Sequence, residues 1–169
     1  MKKAAGALII IICFLLQSTL FQYIAFAGIV PNLMVMITSI FGFMEGRKYG
    51  MVIGFTCGLL TDIFYGSVLG VNALIFLYIG YVNGVANRGF YPDDIKYPII
   101  FIALSDVASL ILSYLTGFLL RARFNIGYYI LHLMLPELIY TIVVSFILYI
   151  PIRNILLMLG REPEESDLE

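Results

Sequence analysis

The chain has 169 residues, of which 62% are hydrophobic and only 12% are charged. About a quarter of the residues in a soluble domain are charged, so this composition excludes an ordinary soluble protein and leaves no length for a separate soluble domain. The apolar runs are continuous rather than alternating, which favours membrane-spanning helices over a β-barrel. The formal net charge of −1 gives no indication of a nucleic-acid partner.

Short breaks, most of them charged, divide the sequence into six apolar runs. A helix needs about 20 apolar residues to cross the bilayer core, and the second and third runs are short by that measure. We predict an all-α, polytopic membrane bundle of six transmembrane helices over residues 1–160, followed by an acidic cytoplasmic tail over residues 161–169. The predicted spans are Ala4 to Ala27, Leu33 to Met44, Gly50 to Tyr65, Val71 to Asn87, Pro98 to Leu120 and Gly127 to Ile150.

The first run has two interpretations. Lys2 and Lys3 precede a short apolar core and the small-residue sequence at 25–27, as in a cleavable signal peptide. The run is also long enough to cross the membrane, and we favour a retained helix. With six spans, eight Lys and Arg residues lie on the side of the N-terminus, and two, Arg121 and Arg123, lie on the other. This bias predicts that both termini are cytoplasmic.

Glycines recur every four residues in the third run and lead, at the same spacing, to Asp62. Because an α-helix turns by about 100° per residue, these glycines drift around the axis and form a shallow spiral groove. Such grooves let membrane helices cross closely, and a similar pair of glycines lies in the fourth run. The predicted helix-packing or partner seam consists of Gly50, Gly54, Gly58, Gly80 and Gly84.

Polar side chains within the apolar runs are the candidate functional groups. An ionisable group left exposed at mid-membrane costs about 2.5–3.5 kcal/mol on insertion scales, so each should face the bundle interior, a cavity or a partner. One interpretation is a proton or substrate path; the other is interhelical hydrogen bonding, with Asp62 as a cap at the end of the seam. The candidates are Asp62, Asn72, Asp106, His132 and Glu137.

No catalytic or metal-binding pattern accompanies these residues. The sequence contains no nucleophile–base motif and no phosphate-binding loop. One histidine and two separated cysteines, Cys13 and Cys57, are too few ligands for a zinc site and do not indicate a disulfide framework. We therefore predict no catalytic residues, no bound metal and no cofactor.

The chain resembles a known family over essentially its whole length, and the specific motifs that carry the resemblance lie between residues 31 and 81. It contains Pro31-Asn32-Leu33, Glu45-Gly46-Arg47, the motif Gly-Phe-x-x-Gly-Leu-x-x-Asp at 54–62, a Leu-Gly turn at 69–70 and the pair Gly80-Tyr81. These motifs, together with the length and the six predicted spans, resemble the rod shape-determining protein MreD family. Where that family usually has an acid after the proline, this chain has Asn32.

The resemblance implies a non-enzymatic subunit of the bacterial elongation machinery in the cytoplasmic membrane. Its implied partners are the bitopic protein MreC and, through the complex, the RodA glycosyltransferase, a class B penicillin-binding protein and cytoskeletal MreB. The implied fold is similar to that of the substrate-binding subunits of energy-coupling-factor vitamin transporters, which suggests a pocket at the outer face near Asp62 and Asn72. The alternative function is a subunit of such a transporter, although the Ala-x-x-x-Ala docking face of those subunits is poorly formed here, because Leu8 follows Ala4 at that spacing.

Overall fold

The structure is a computed structural model that describes residues 2–25, 28–66, 68–86, 95–121 and 126–160. The regular secondary structure in these ranges is helical, which confirms the predicted class for this part of the chain. The elements are α1 (Lys2–Ser18), α2 (Leu20–Tyr23), α3 (Leu33–Glu45), α4 (Arg47–Tyr65), α5 (Val71–Ala86), α6 (Lys96–Arg121), α7 (Ile126–Tyr129), a π-helical segment (Ile130–Met134) and α8 (Leu135–Gly160).

Three stretches of helix are long and apolar enough to cross a membrane: Ala4–Tyr23, Lys96–Gly117 and Ile130–Met158. The shorter helices α3 and α5 are also apolar. The first predicted span is interrupted at Thr19, between α1 and α2. The acidic tail at 161–169 and most of the small-residue sequence at 25–27 lie outside the described residues.

Helix α3 lies at the centre of the bundle. Its residues from Leu33 to Phe43 are all buried, so the helix is covered on every side, and α1, α4, α5, α6 and α8 pack against it. At about 1.5 Å per residue, its 13 residues span only about 20 Å. Because these side chains meet protein rather than lipid, the length of α3 does not have to match the thickness of the bilayer.

A single residue connects α3 to α4. Gly46 has φ +87° and ψ −174°, a conformation that is essentially restricted to glycine. The sequence predicts a break over residues 45–49, but α4 already begins at Arg47. The reversal of the chain therefore depends on the conformational freedom of one glycine, and the residues after it form the first turn of α4.

The last predicted span is not a single α-helix with a kink at Pro136, because it contains a π-helical segment. The π-helical segment Ile130–Met134 lies directly before the turn that contains Pro136. A proline ring collides with the carbonyl group four residues earlier in an α-helix, here that of His132, and a widened turn relieves this collision. Beyond the predicted end at Ile150, α8 continues as a helix to Gly160.

Candidate functional site

The glycines of α4 lie directly against the backbone of α5. A Cβ atom added at any of the three central glycines would come closer than 3.0 Å to a backbone carbonyl oxygen of α5. The two helices can approach this closely only because these positions lack side chains. The residues in contact are Gly50 with Gly80, Gly54 with Phe76, and Gly58 with Asn72.

Glycines of α5 and α3 complete this seam. A Cβ atom added at Gly80 would collide with the backbone of Gly50, and one added at Gly84 would collide with the backbone of Arg47. On α3, a Cβ atom added at Gly42 would lie 2.7 Å from the carbonyl oxygen of Gly80. Gly42 was not among the predicted residues, although the same four-residue spacing leads from it through residue 46 to residue 50. The seam is thus filled by helices of this chain.

Asp62 caps the first turn of α5. Its carboxylate accepts hydrogen bonds from the backbone N–H groups of Gly70 (2.9 Å), Asn72 (3.1 Å) and Ala73 (3.0 Å), and from the side-chain amide of Asn72 (2.9 Å). The first N–H groups of a helix have no partner within the helix, and Gly70 has no side chain with which to cap them. Asp62 supplies that cap from α4, and the helix dipole favours a negative charge at this end.

The sequence predicts an outer pocket near Asp62 and Asn72. The structure has a small cavity that Asn72 lines, but Asp62 does not line it. A cavity of about 170 Å³ lies between the α4–α5 turn and α6, with Asn72, Ser113 and Thr116 among its lining residues. The carboxylate of Asp62 is only 2% exposed and is bonded to α5 instead. The structure therefore brings Asp62 and Asn72 together within a helix cap.

Asp106 lies in α6 at the contact with α8. Its side chain is fully buried, and the hydroxyl group of Thr141 is adjacent. Within the described ranges, neither carboxyl oxygen has a hydrogen-bond donor in bonding geometry. Glu137, one turn before Thr141 on α8, is half-buried and lies near enough for the charges of the two carboxylates to repel each other. Asp106 and Glu137 thus form a second, separate group of predicted residues.

Two hydrogen bonds near this second group each connect a pair of helices: one joins the start of α3 to α8, and the other joins α5 to α6. The hydroxyl group of Thr141 accepts a hydrogen bond from the backbone N–H of Asn32 (3.1 Å), whose own side chain caps α3. On the other side, the amide of Asn83 in α5 donates to the hydroxyl of Ser105 in α6 (2.8 Å). Sequence analysis did not assign these roles. For Asn32 a signal was available, because asparagine directly before an apolar helix is a preferred N-cap residue.

His132 lies on the π-helical segment before α8, and its side chain is exposed. It therefore does not face the bundle interior, and the other predicted surroundings, a cavity or a partner, stay a prediction. In the described part of the chain, no three His, Cys, Asp or Glu residues are grouped so that they could hold a metal ion.

A larger, apolar cavity lies at the start of α8. It has a volume of about 540 Å³, and none of the predicted site residues lines it. The hydroxyl group of Tyr140 donates to the carbonyl oxygen of Ile24 (3.3 Å) and connects its two sides. The lining residues are Ile24, Ile29, Leu135, Pro136, Ile139, Tyr140 and Val143.

Comparison with known proteins confirms the predicted resemblance over nearly the whole chain. The family described as rod shape-determining protein MreD matches residues 2–159. No curated protein and no solved structure matches the chain. The described helices, with three stretches apolar enough to cross a membrane, agree with a membrane protein. The chain therefore belongs to the MreD family of rod shape-determining proteins.

Proposed function

We propose that this protein is a non-enzymatic subunit of the bacterial rod complex that binds MreC and helps to direct side-wall peptidoglycan synthesis. The family match over residues 2–159 carries the proposal. RodA, a class B penicillin-binding protein and MreB are the further members expected in the same complex. Neither the family match nor the described structure supports the alternative of a vitamin-transporter subunit, and the fold similarity to such subunits stays a prediction.

We also propose six crossings of the bacterial inner membrane, with both termini in the cytoplasm. The crossing helices are α1, α3, α4, α5, α6 and α8. In support, Gly46 alone joins α3 to α4, and the residue pairs along the seam run in opposite directions on α4 and α5. Consecutive helices of this part therefore alternate in direction. The distribution of Lys and Arg, eight against two, favours the cytoplasmic side for both ends.

The surface that binds MreC lies outside the glycine seam in this proposal. Helix α5 occupies the groove of α4, and Gly50, Gly54 and Gly58 are buried there. A partner with one transmembrane helix must therefore pack on side chains that point away from the bundle. Helices α1, α5, α6 and α8 each carry exposed large apolar side chains that offer such a face.

Affinity purification of the tagged, full-length protein with MreC from mild detergent tests the proposal. One exposed residue on each face is replaced by tryptophan, a residue that the chain lacks. We expect MreC in the wild-type eluate, and a reduction of at least tenfold in one variant, because only one face holds the partner helix. No MreC with the wild-type protein would contradict the proposal, and full recovery in all variants would exclude these helix faces. The variants are Leu8→Trp, Tyr78→Trp, Leu104→Trp and Ile147→Trp.

A further inference from the structure

Asp106 is a buried acid without a basic partner among the described residues. Its side chain is 0% exposed. On its own helix, Lys96 and Arg121 lie at the opposite ends, ten or more residues away. Helices α3 and α5, which pack against α6, contain no lysine, arginine or histidine. On α8 the basic residue is Arg153, three turns beyond Thr141. The environment therefore offers no positive charge to an ionised carboxylate.

The ionisable groups around Asp106 also disfavour a negative charge. Of the helices packed against α6, α3 contributes only Glu45, at the end opposite Asn32, and α5 contributes only two exposed tyrosines. Helix α8 contributes Glu137 beside Asp106 and, further along, tyrosines and one arginine. Helix α7 contributes Tyr129, which contacts Leu110 and Tyr114 of α6 and lies near Glu137, and neither tyrosine carries a positive charge. A second carboxyl group nearby raises the free energy of the ionised state. Burial without a hydrogen-bond donor raises it further.

The hydroxyl group of Thr141 can donate to either form of Asp106, but only a neutral carboxylic acid can also donate to it. The oxygen of this hydroxyl group accepts the N–H of Asn32, and it retains its own proton and a second lone pair. A protonated Asp106 has one O–H donor and one carbonyl acceptor, so it can bond with Thr141 in either direction. The two groups are adjacent at the contact between α6 and α8.

We propose that Asp106 is a proton-binding site in the interior of the bundle, held as a neutral acid against Thr141, with Glu137 as the second ionisable group of the site. The ligand is a proton, and no covalent or redox step is involved. A proton needs no further ligands, whereas the described residues offer no group of three His, Cys, Asp or Glu side chains for a metal cation.

Infrared spectroscopy of the full-length wild-type protein in lipid nanodiscs tests the proposal directly. Aspartate is labelled with ¹³C in its side-chain carboxyl group, which separates Asp106 from Glu137. Asp62, the other aspartate among the described residues, accepts four hydrogen bonds from N–H groups. We expect a C=O stretching band of a protonated carboxyl group that shifts with the label. No labelled band at neutral pH would overturn the proposal, and this test needs no variant.

Two variants assign the band. Asp106→Asn should remove it, whereas the control Glu137→Gln should leave the aspartate band in place. Persistence of the labelled band in Asp106→Asn would overturn the assignment.

Thermal unfolding distinguishes a proton from a metal cation. Circular dichroism in sodium and in choline buffers should give the same midpoint for the wild-type protein. A sodium-dependent increase that disappears in Asp106→Asn would replace the proton with a cation and overturn the proposal.

Discussion

The helix pairs α4–α5 and α6–α8 each bury an aspartate, but they surround it differently. Asp62 accepts four hydrogen bonds from N–H groups at the start of α5. Asp106 faces a hydroxyl group and a second acid, with no donor in bonding geometry among the described residues. The first turn of a helix has free N–H groups, whereas those in the middle of a helix are already bonded. Position relative to a helix end, rather than burial, therefore decides which aspartate finds N–H donors.

The largest expected effect tests how closely the backbones of α4 and α5 pack, compared with the looser surroundings of a glycine on α6. Gly58→Leu should destabilise the protein by more than about 3 kcal/mol, because even its Cβ atom would collide with the carbonyl group of Asn72. Thermal unfolding can be followed through reaction of the buried thiols of Cys13 and Cys57 with a fluorescent dye. Gly117→Leu on α6 is the matched control, since nothing lies within 4 Å of its added Cβ. Equal midpoints for the two variants would show that the seam is not closely packed.

The second-largest expected effect concerns Asp62, whose carboxylate accepts four hydrogen bonds. Asp62→Asn replaces one acceptor oxygen by an NH₂ group that faces backbone N–H donors of α5. Hydrogen bonds to charged groups contribute about 1.5–3 kcal/mol each, so we expect a loss of roughly 2–3 kcal/mol in the same thiol assay. A midpoint equal to that of the wild-type protein would mean that the cap contributes nothing.

A smaller effect is expected where α8 bonds to the start of α3. Thr141→Val keeps the size of the side chain but removes the acceptor for the N–H of Asn32. The expected loss is about 1–2 kcal/mol, because that N–H becomes unpaired in a partly buried place. Thr116→Val is the control, since the hydroxyl of Thr116 bonds only within α6. Equal losses of stability in the two variants would show that the hydrogen bond between α8 and the start of α3 stabilises the protein no more than one within α6.

The smallest expected effect distinguishes most directly between the surroundings of Asp62 and those of Asp106. Asp106→Asn makes the same chemical change as Asp62→Asn, in the other helix pair. Because an amide has nearly the size of a neutral carboxylic acid, stability at neutral pH should change by less than about 1 kcal/mol. A loss as large as that of Asp62→Asn would show that Asp106 is ionised and bonded, and the contrast between the two pairs would fail.

Local spacing in the sequence predicts part of this architecture. Continuous apolar runs predict the helices, since only helices satisfy their backbone within such runs in lipid. The four-residue glycine spacing marks the face of α4 that meets α5. By contrast, the central place of α3 depends on which helices surround it. Its sequence is as apolar as that of its neighbours, so composition alone does not distinguish it.

The roles of the polar residues depend on contacts between distant parts of the chain. The cap of Asp62 was one of the two alternatives left open by the sequence, and its donors lie only eight to eleven residues away. Asp106 meets Thr141 and Glu137 from another helix, and nothing in the spacing of either helix aligns them. The exposure of His132 depends on the phase of the helix around the π-helical segment, which hydropathy does not indicate.

The single-residue connection at Gly46 also has a consequence for how the protein is made. Helix α3 is shorter than the hydrocarbon core, at about 20 Å against about 30 Å, and the partners α5, α6 and α8 that cover it are synthesised later. Only one residue separates it from α4. We expect the two helices to enter the bilayer as one unit, so that changes at Gly46 act on membrane topology during synthesis.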